Sequence, residues 1–230
     1  NVENVLINLE HANPEKIRLI HHGIDMSDYL PGSVKEDRVS AVKLKYNIKS
    51  DDGPVVGAIS RFIELKGLQY LIPAFKKLLL SYPKAVLVLA NASGSYSPEI
   101  AKLLTGLDER NYRLIVFEND IAALYKVFDC FVHIPITNSV EAFGQIYLEA
   151  LASKVPSVFT MSGVAPEFII DKVNGMVVPF KDSEAVYNAL LFILRNKGNL
   201  ETMLNNGYEI VKEKFDIRFK IEKLENLYSS

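Results

Sequence analysis

At 230 residues, 49% hydrophobic and 23% charged, the chain is long enough for one large α/β domain or two small ones, and no apolar run is long enough to cross a bilayer. A formal net charge of -2 argues against a nucleic-acid binder that draws its affinity from phosphate neutralisation. A single cysteine, Cys130, excludes an internal disulfide and fits a reducing compartment.

In chain order, residues 1–13 read as the end of a helix, with Val2, Val5, Leu6 and Leu9 on one side and Pro14 stopping it. The opening N-V-E-N-V-L-I-N-L-E shows no signal peptide and does not begin with Met, as in a fragment or a processed product. Lys16–Ile20 reads as a short strand, followed by a turn-like loop from His21 to Asp25. Ser33 is the expected cap of a helix through Tyr46, and Asp51, Asp52 and Gly53 form a turn. Pro54–Ile59 is apolar without alternation, which predicts a strand buried on both faces and hence a parallel sheet.

From there strand and helix alternate. A loop at residues 60–65 leads into a helix over Lys66–Tyr82, then come a strand at Ala85–Ala90, a loop at Asn91–Ser97 and a helix opened by Pro98. Tyr112–Phe117 is a strand, Asn119 or Asp120 caps a helix through Phe128, and Cys130–Ile134 is the next strand. A helix opens at Gly144, Pro156–Thr160 is a strand, a short helix begins near Pro166, and Asn174-Gly175 turns into a strand at Met176–Val178. The remainder is helical over Ser183–Arg195, Leu200–Lys214 and Ile217–Tyr228. Buried strands separated by helices call for right-handed crossovers, and so for an α/β, doubly wound, Rossmann-like parallel sheet. Ligands of such sheets bind in the crevice beyond the carboxyl ends of the strands.

Two segments on that edge carry candidate chemistry. In S-R-F-I-E-L-K-G, Arg61 and Lys66 flank a helix start, where two cations beside free N–H groups suit a diphosphate; the plainer alternative is a pair of solvated surface charges. In E-A-F-G-Q-I-Y-L-E, Glu141 and Glu149 bracket a helix N-terminus at Phe143-Gly144. The amides of Gly144, Gln145 and Ile146 can hold an anion there. Gln145, Glu149 and Ser153 recur at four-residue steps and form one polar stripe on an otherwise apolar helix. A carboxylate in such a helix needs a partner: either a diol such as a ribose, donating two hydroxyls to Glu149, or a neighbouring backbone group. Glu141 is read either as an acceptor for ligand hydroxyls or as a partner of the helix dipole. His11, His21, His22 and His133 have no metal-ligand spacing, and His133, at a strand end, reads as a satisfied core histidine.

Together these segments resemble the C-terminal half of a glycosyltransferase of family 4, a retaining family of the GT-B fold. The resemblance is carried by I-R-L-I-H-H-G-I-D at 17–25, V-V-G-A-I-S-R-F-I-E-L-K-G at 55–67, Phe128-Asp129 with F-V-H-I-P, the Glu, seven residues, Glu motif at 141–149, and P-S-V-F-T-M-S-G-V-A-P-E at 156–167. It implies that Arg61 and Lys66 bind the diphosphate of a nucleotide-sugar donor, UDP-sugar favoured over GDP-sugar. It implies that Glu141 contacts the transferred sugar as the catalytic residue, that Phe143 and Gly144 contact sugar and phosphates, and that Glu149 contacts the ribose. No metal or other cofactor is expected. His22, Ser60, Asn91 and a lone Gly163 depart from the family pattern.

The organisation implied is a tail of an absent acceptor domain at 1–14, a nucleotide-sugar-binding domain at 15–214, and a helix at 215–230 that packs back toward that absent domain. The chain is then expected to bind donor without transferring sugar by itself. The whole enzyme would act in the cytoplasm on a glycan or glycolipid, with peripheral attachment to the inner face of a membrane. Nucleic acid is not an expected partner. A non-catalytic nucleotide-binding or regulatory module of the same fold is the alternative. An NAD-dependent oxidoreductase is disfavoured, because no Gly-rich turn follows a strand.

Overall fold

The computed structural model describes residues 6–229. Val2 and Val5, assigned above to a helix end, lie outside the described residues; residues 6–8 are helical, with Leu6 and Leu9 exposed. Six parallel strands are β1 (Val55–Ile59), β2 (Val86–Ala90), β3 (Tyr112–Ile115), β4 (Cys130–His133), β5 (Ser157–Phe159) and β6 (Met176–Val177), in the order β3-β2-β1-β4-β5-β6. Besides the helical residues 6–8, eight α-helices among the described residues accompany them: α1 (Glu36–Lys45), α2 (Leu68–Leu78), α3 (Ser97–Leu104), α4 (Ile121–Val127), α5 (Gln145–Ala152), α6 (Ser183–Arg195), α7 (Glu201–Lys214) and α8 (Ile217–Ser229).

The unbroken apolar runs of β1 and β2 have a direct cause. Val55 and Ile59, with Val86 and Val88, point into one core shared with α1, α4, α5 and α7. Val56, Ala58, Leu87 and Leu89 point into a second core, shared with α2, α3 and α6. A strand covered on both faces has no solvent side on which to place polar residues. The register Val55↔Val86 to Ile59↔Ala90, with Gly57↔Phe131 across β4, aligns the carboxyl ends of the three central strands along one edge. The order reverses between β1 and β4, which opens the crevice there.

Several expected elements differ. Lys16–Ile20 is not a strand: Pro14–Lys16 is a 3-10 turn capped by Asn13, and residues 17–23 form no regular element and pair with no strand. Ser33 does not cap α1; its hydroxyl donates to the Asp28 carbonyl, and Lys35 takes the N-cap position without a side-chain bond. The Lys66–Tyr82 helix is shorter, because Gly67 adopts a left-handed φ of 79° between a 3-10 turn (Glu64–Lys66) and α2. β3 stops at Ile115, and Val116 and Phe117 lie exposed beyond it. Of the two candidate caps for α4, Asp120 is the one used: it accepts from the Ala123 N–H and receives the Arg38 guanidinium through Nε and Nη2.

Glu118, in the loop after β3, accepts from Lys45 Nζ at 2.7 Å, the Tyr46 hydroxyl at 2.6 Å and the Asp120 N–H at 2.9 Å. Burial on its own raises this carboxyl, but those donors outweigh it and hold the group at about 2. A carboxyl depressed in the fold contributes stability that is complete above its ordinary value of 4.5 and is lost as pH falls toward 2. Glu118→Gln is therefore expected to flatten part of the fall in urea midpoint between those two pH values. An unchanged acid limb would show that the clasp contributes nothing.

Candidate functional site

The site forms where the turn before α2 meets the segment after β4. A Cβ on Gly67 would lie 2.0 Å from the Ile134 carbonyl oxygen, so glycine alone permits that approach. The Ile136 N–H donates to the Leu65 carbonyl at 3.0 Å and fixes the two segments side by side. From this base Lys66 reaches across the crevice mouth.

The loop from Pro135 to Gly144 is held from the β5 side. Thr160 Oγ1 donates to the Pro135 carbonyl at 2.7 Å, the Gly163 N–H donates to the Asn138 carbonyl at 2.9 Å, and the Glu141 N–H donates to Ser162 Oγ at 3.2 Å. Gly163 has a φ of 61°, and a Cβ there would lie 2.6 Å from the Glu141 carbonyl oxygen. The lone glycine of that segment thus seats Glu141.

Lys66 Nζ donates to Glu141 Oε1, and both side chains are largely buried, at 16% and 12% exposed. His133 Nε2, at the end of β4, lies 3.0 Å from the same oxygen. The approach is off the line of a hydrogen bond, and this nitrogen is buried with no hydrogen-bond partner. Burial raises the Glu141 carboxyl, while the His133 ring and the Lys66 ammonium offset this and bring it below the ordinary range. Burial lowers the His133 imidazole, Glu141 opposes that, and the Lys66 charge adds to it. The expectation of a satisfied core histidine is corrected: His133 is buried, but it faces the crevice chemistry with an unbonded nitrogen.

The other predicted residues surround this pair. Gly144 is the N-cap of α5 at a φ of 81°, leaving the first amides of the helix without intrahelical acceptors. Phe143 packs its ring against His22 at 5.4 Å, Phe215 at 6.1 Å and His21 at 6.3 Å. Gln145 is exposed and its amide reaches the Gly23 carbonyl at 3.5 Å, whereas Ile146 is half-buried against the core. Glu149 is half-buried and accepts from the Tyr125 hydroxyl at 3.2 Å. Burial raises its carboxyl, and only that phenol opposes the rise. In this structure its partner is a side chain from α4 rather than a backbone group, and among the described residues Glu149 makes no salt bridge. Ser153, the last member of the stripe, is buried with an unbonded hydroxyl. Arg61 is exposed and makes no side-chain bond or ion pair with a described residue. The fold therefore joins Lys66 to Glu141, adds His133, and leaves Arg61 unengaged.

Among the described residues no group of three or more His, Cys, Asp or Glu side chains is placed to hold a metal ion, and no helix is long and apolar enough to cross a membrane. Beside the crevice a cavity of about 330 Å³ is lined by Ile59, Ala90, Asn91, Phe117, Glu118 and Ile121.

A parallel sheet of this order, with its charged loops gathered at one edge, is the Rossmann-like half of a GT-B glycosyltransferase fold. Residues 42–210 match the family model for glycosyl transferases group 1, and the chain belongs to that family. It is 26% identical over 187 residues to the capsular polysaccharide biosynthesis glycosyltransferase CapM of Staphylococcus aureus, covering 81% of this chain and 48% of that protein. A glycosyltransferase structure from Rickettsia africae superposes with a TM-score of 0.88 at 21% identity, covering 99% of this chain and 60% of that one. The structure of HepE from Anabaena in complex with UDP-glucose superposes with a TM-score of 0.81 at 24% identity, covering 95% of this chain and 59% of that one. The chain spans about half the length of the curated relatives it matches.

Proposed function

We propose that this chain is the donor-binding half of a retaining glycosyltransferase of family 4, using a nucleotide-diphosphate sugar to glycosylate a glycan or glycolipid. The observation that carries this reading is the buried meeting of Lys66 with Glu141 at the crevice, beside the glycine-capped start of α5. In this reading Lys66 and Arg61 supply cations for the diphosphate. The amides of Gly144, Gln145 and Ile146 supply oriented donors, Phe143 and Gly144 border the sugar, and Glu149 accepts the ribose hydroxyls. Charge developing on the leaving diphosphate is then met by fixed groups of the chain, and no metal is required. Glu141 faces the transferred sugar and stabilises its oxocarbenium-like state.

A uridine donor is supported by the UDP-glucose bound to HepE and by nothing in the side chains of this site. The acceptor would be chosen by the other half of the enzyme, so the isolated chain binds donor without transfer. Isothermal titration with UDP, GDP, ADP and NAD tests the reading. Uptake of UDP or GDP with a Kd in the micromolar range, about -8 kcal/mol, is the expected result. Binding of NAD and of no nucleoside diphosphate would overturn it.

A further inference from the structure

Glu141 Oε1 has two neighbours, and on the donor reading above one of them has a second duty. Lys66 pairs with Glu141 in this structure, yet the same ammonium is the cation assigned to the diphosphate. An ammonium that turns to a doubly charged diphosphate leaves Glu141 beside His133 alone. A carboxylate that is 12% exposed is expensive to leave unpaired. His133 is already in place, with Nε2 at 3.0 Å from Oε1 and without a hydrogen-bond partner among the described residues. Its ring is fixed edge-on against Tyr147, centroids 4.9 Å apart at 82°, and its backbone carbonyl accepts from the Thr160 N–H. The side chain is therefore held at the carboxylate.

We propose that His133 is the positioning residue of Glu141, and that donor binding passes Glu141 from Lys66 to His133, whose imidazole takes up one proton from solvent. The groups that bear on the imidazole are few. Glu141 comes from the loop before α5, Lys66 from the turn before α2, and the Tyr147 ring from α5, its hydroxyl spent on the Thr160 carbonyl. Burial pushes the imidazole below its ordinary value, the Lys66 charge adds to this, and Glu141 opposes it. Departure of Lys66 removes the repulsion, and the arriving diphosphate adds negative charge nearby, so both changes favour the charged ring. The exchange keeps Glu141 paired at every stage.

Two measurements separate this inference from the donor reading on which it rests. The first is titration of UDP-glucose into the full chain at pH 7.5 in buffers of different ionisation enthalpy. A doubly esterified diphosphate does not titrate in this range, so proton exchange belongs to the protein. Wild type is expected to take up about one proton per ligand, and His133→Gln close to none. Absence of UDP-glucose binding to wild type would overturn the donor reading and this inference together. Binding with equal heats in both buffers, or uptake retained in His133→Gln, would overturn this inference alone. The second measurement needs no ligand. NMR titration of the imidazole should show His133 charging at higher pH in Lys66→Met than in wild type, by about one pH unit or more. An unchanged midpoint would show that Lys66 does not govern the ring.

Discussion

Lys66→Ala is expected to weaken UDP binding by about 100-fold, the largest loss for any single charge in the crevice. Truncating one member of a buried, hydrogen-bonded charge pair costs about 2–5 kcal/mol, of which about 2.7 kcal/mol is 100-fold in affinity. Two consequences add. The diphosphate loses a cation held at the crevice mouth, and Glu141, beside the same ligand, is left with His133 alone to offset its charge. Arg61→Ala should do less, because Arg61 is exposed and unengaged, and an exposed charge is worth about 0–1 kcal/mol. Stability should fall less than affinity, since His133 stands at 3.0 Å from Glu141 and can charge in place of the lost ammonium. Titration calorimetry and urea denaturation on the same two variants resolve the order. Equal affinities for wild type and Lys66→Ala would remove Lys66 from the donor site.

The difference between Lys66 and Arg61 was not legible in the sequence, where both are cations flanking one helix start. What distinguishes them is the contact of Gly67 with the Ile134 carbonyl, which joins segments 67 residues apart and leaves no local pattern. The central strands and α6 were legible because their signals are local: unbroken apolar runs in the strands, and a helical run over Ser183–Arg195 that the structure shows capped by Asp182. Lys16–Ile20 failed for the converse reason. Its alternation of charged and apolar residues is strand-like, but it pairs with no strand of the sheet, and a strand-like run without a partner is not a strand. The roles proposed for Glu141 and Glu149 rest on the family resemblance, and their resting partners, His133 with Lys66 and Tyr125, lie on separate elements brought together only by the fold.

Gly67→Ala is expected to lower unfolding stability by about 3–4 kcal/mol and to unseat Lys66 with it. A left-handed φ of 79° costs a non-glycine residue about 1–2 kcal/mol whatever surrounds it. The added Cβ also meets the Ile134 carbonyl oxygen at 2.0 Å, and a backbone oxygen cannot turn aside as a side chain does. Relief requires the turn to move away from β4 by more than an ångström, which breaks the Ile136 N–H to Leu65 carbonyl bond and forfeits about 1 kcal/mol more. Gly32 separates the two terms, because its φ of 80° is nearly the same but a Cβ there meets nothing within 4 Å. Gly32→Ala should cost the conformational part alone, about 1 kcal/mol, and leave UDP binding untouched. Gly67→Ala should cost the remainder as well and reduce UDP affinity toward that of Lys66→Ala, because Lys66 is placed by the turn that has moved. Urea denaturation of both variants, with UDP titration of each, measures the two effects together. Equal losses in the two variants would mean that the approach to Ile134 is not what holds Lys66 in the crevice.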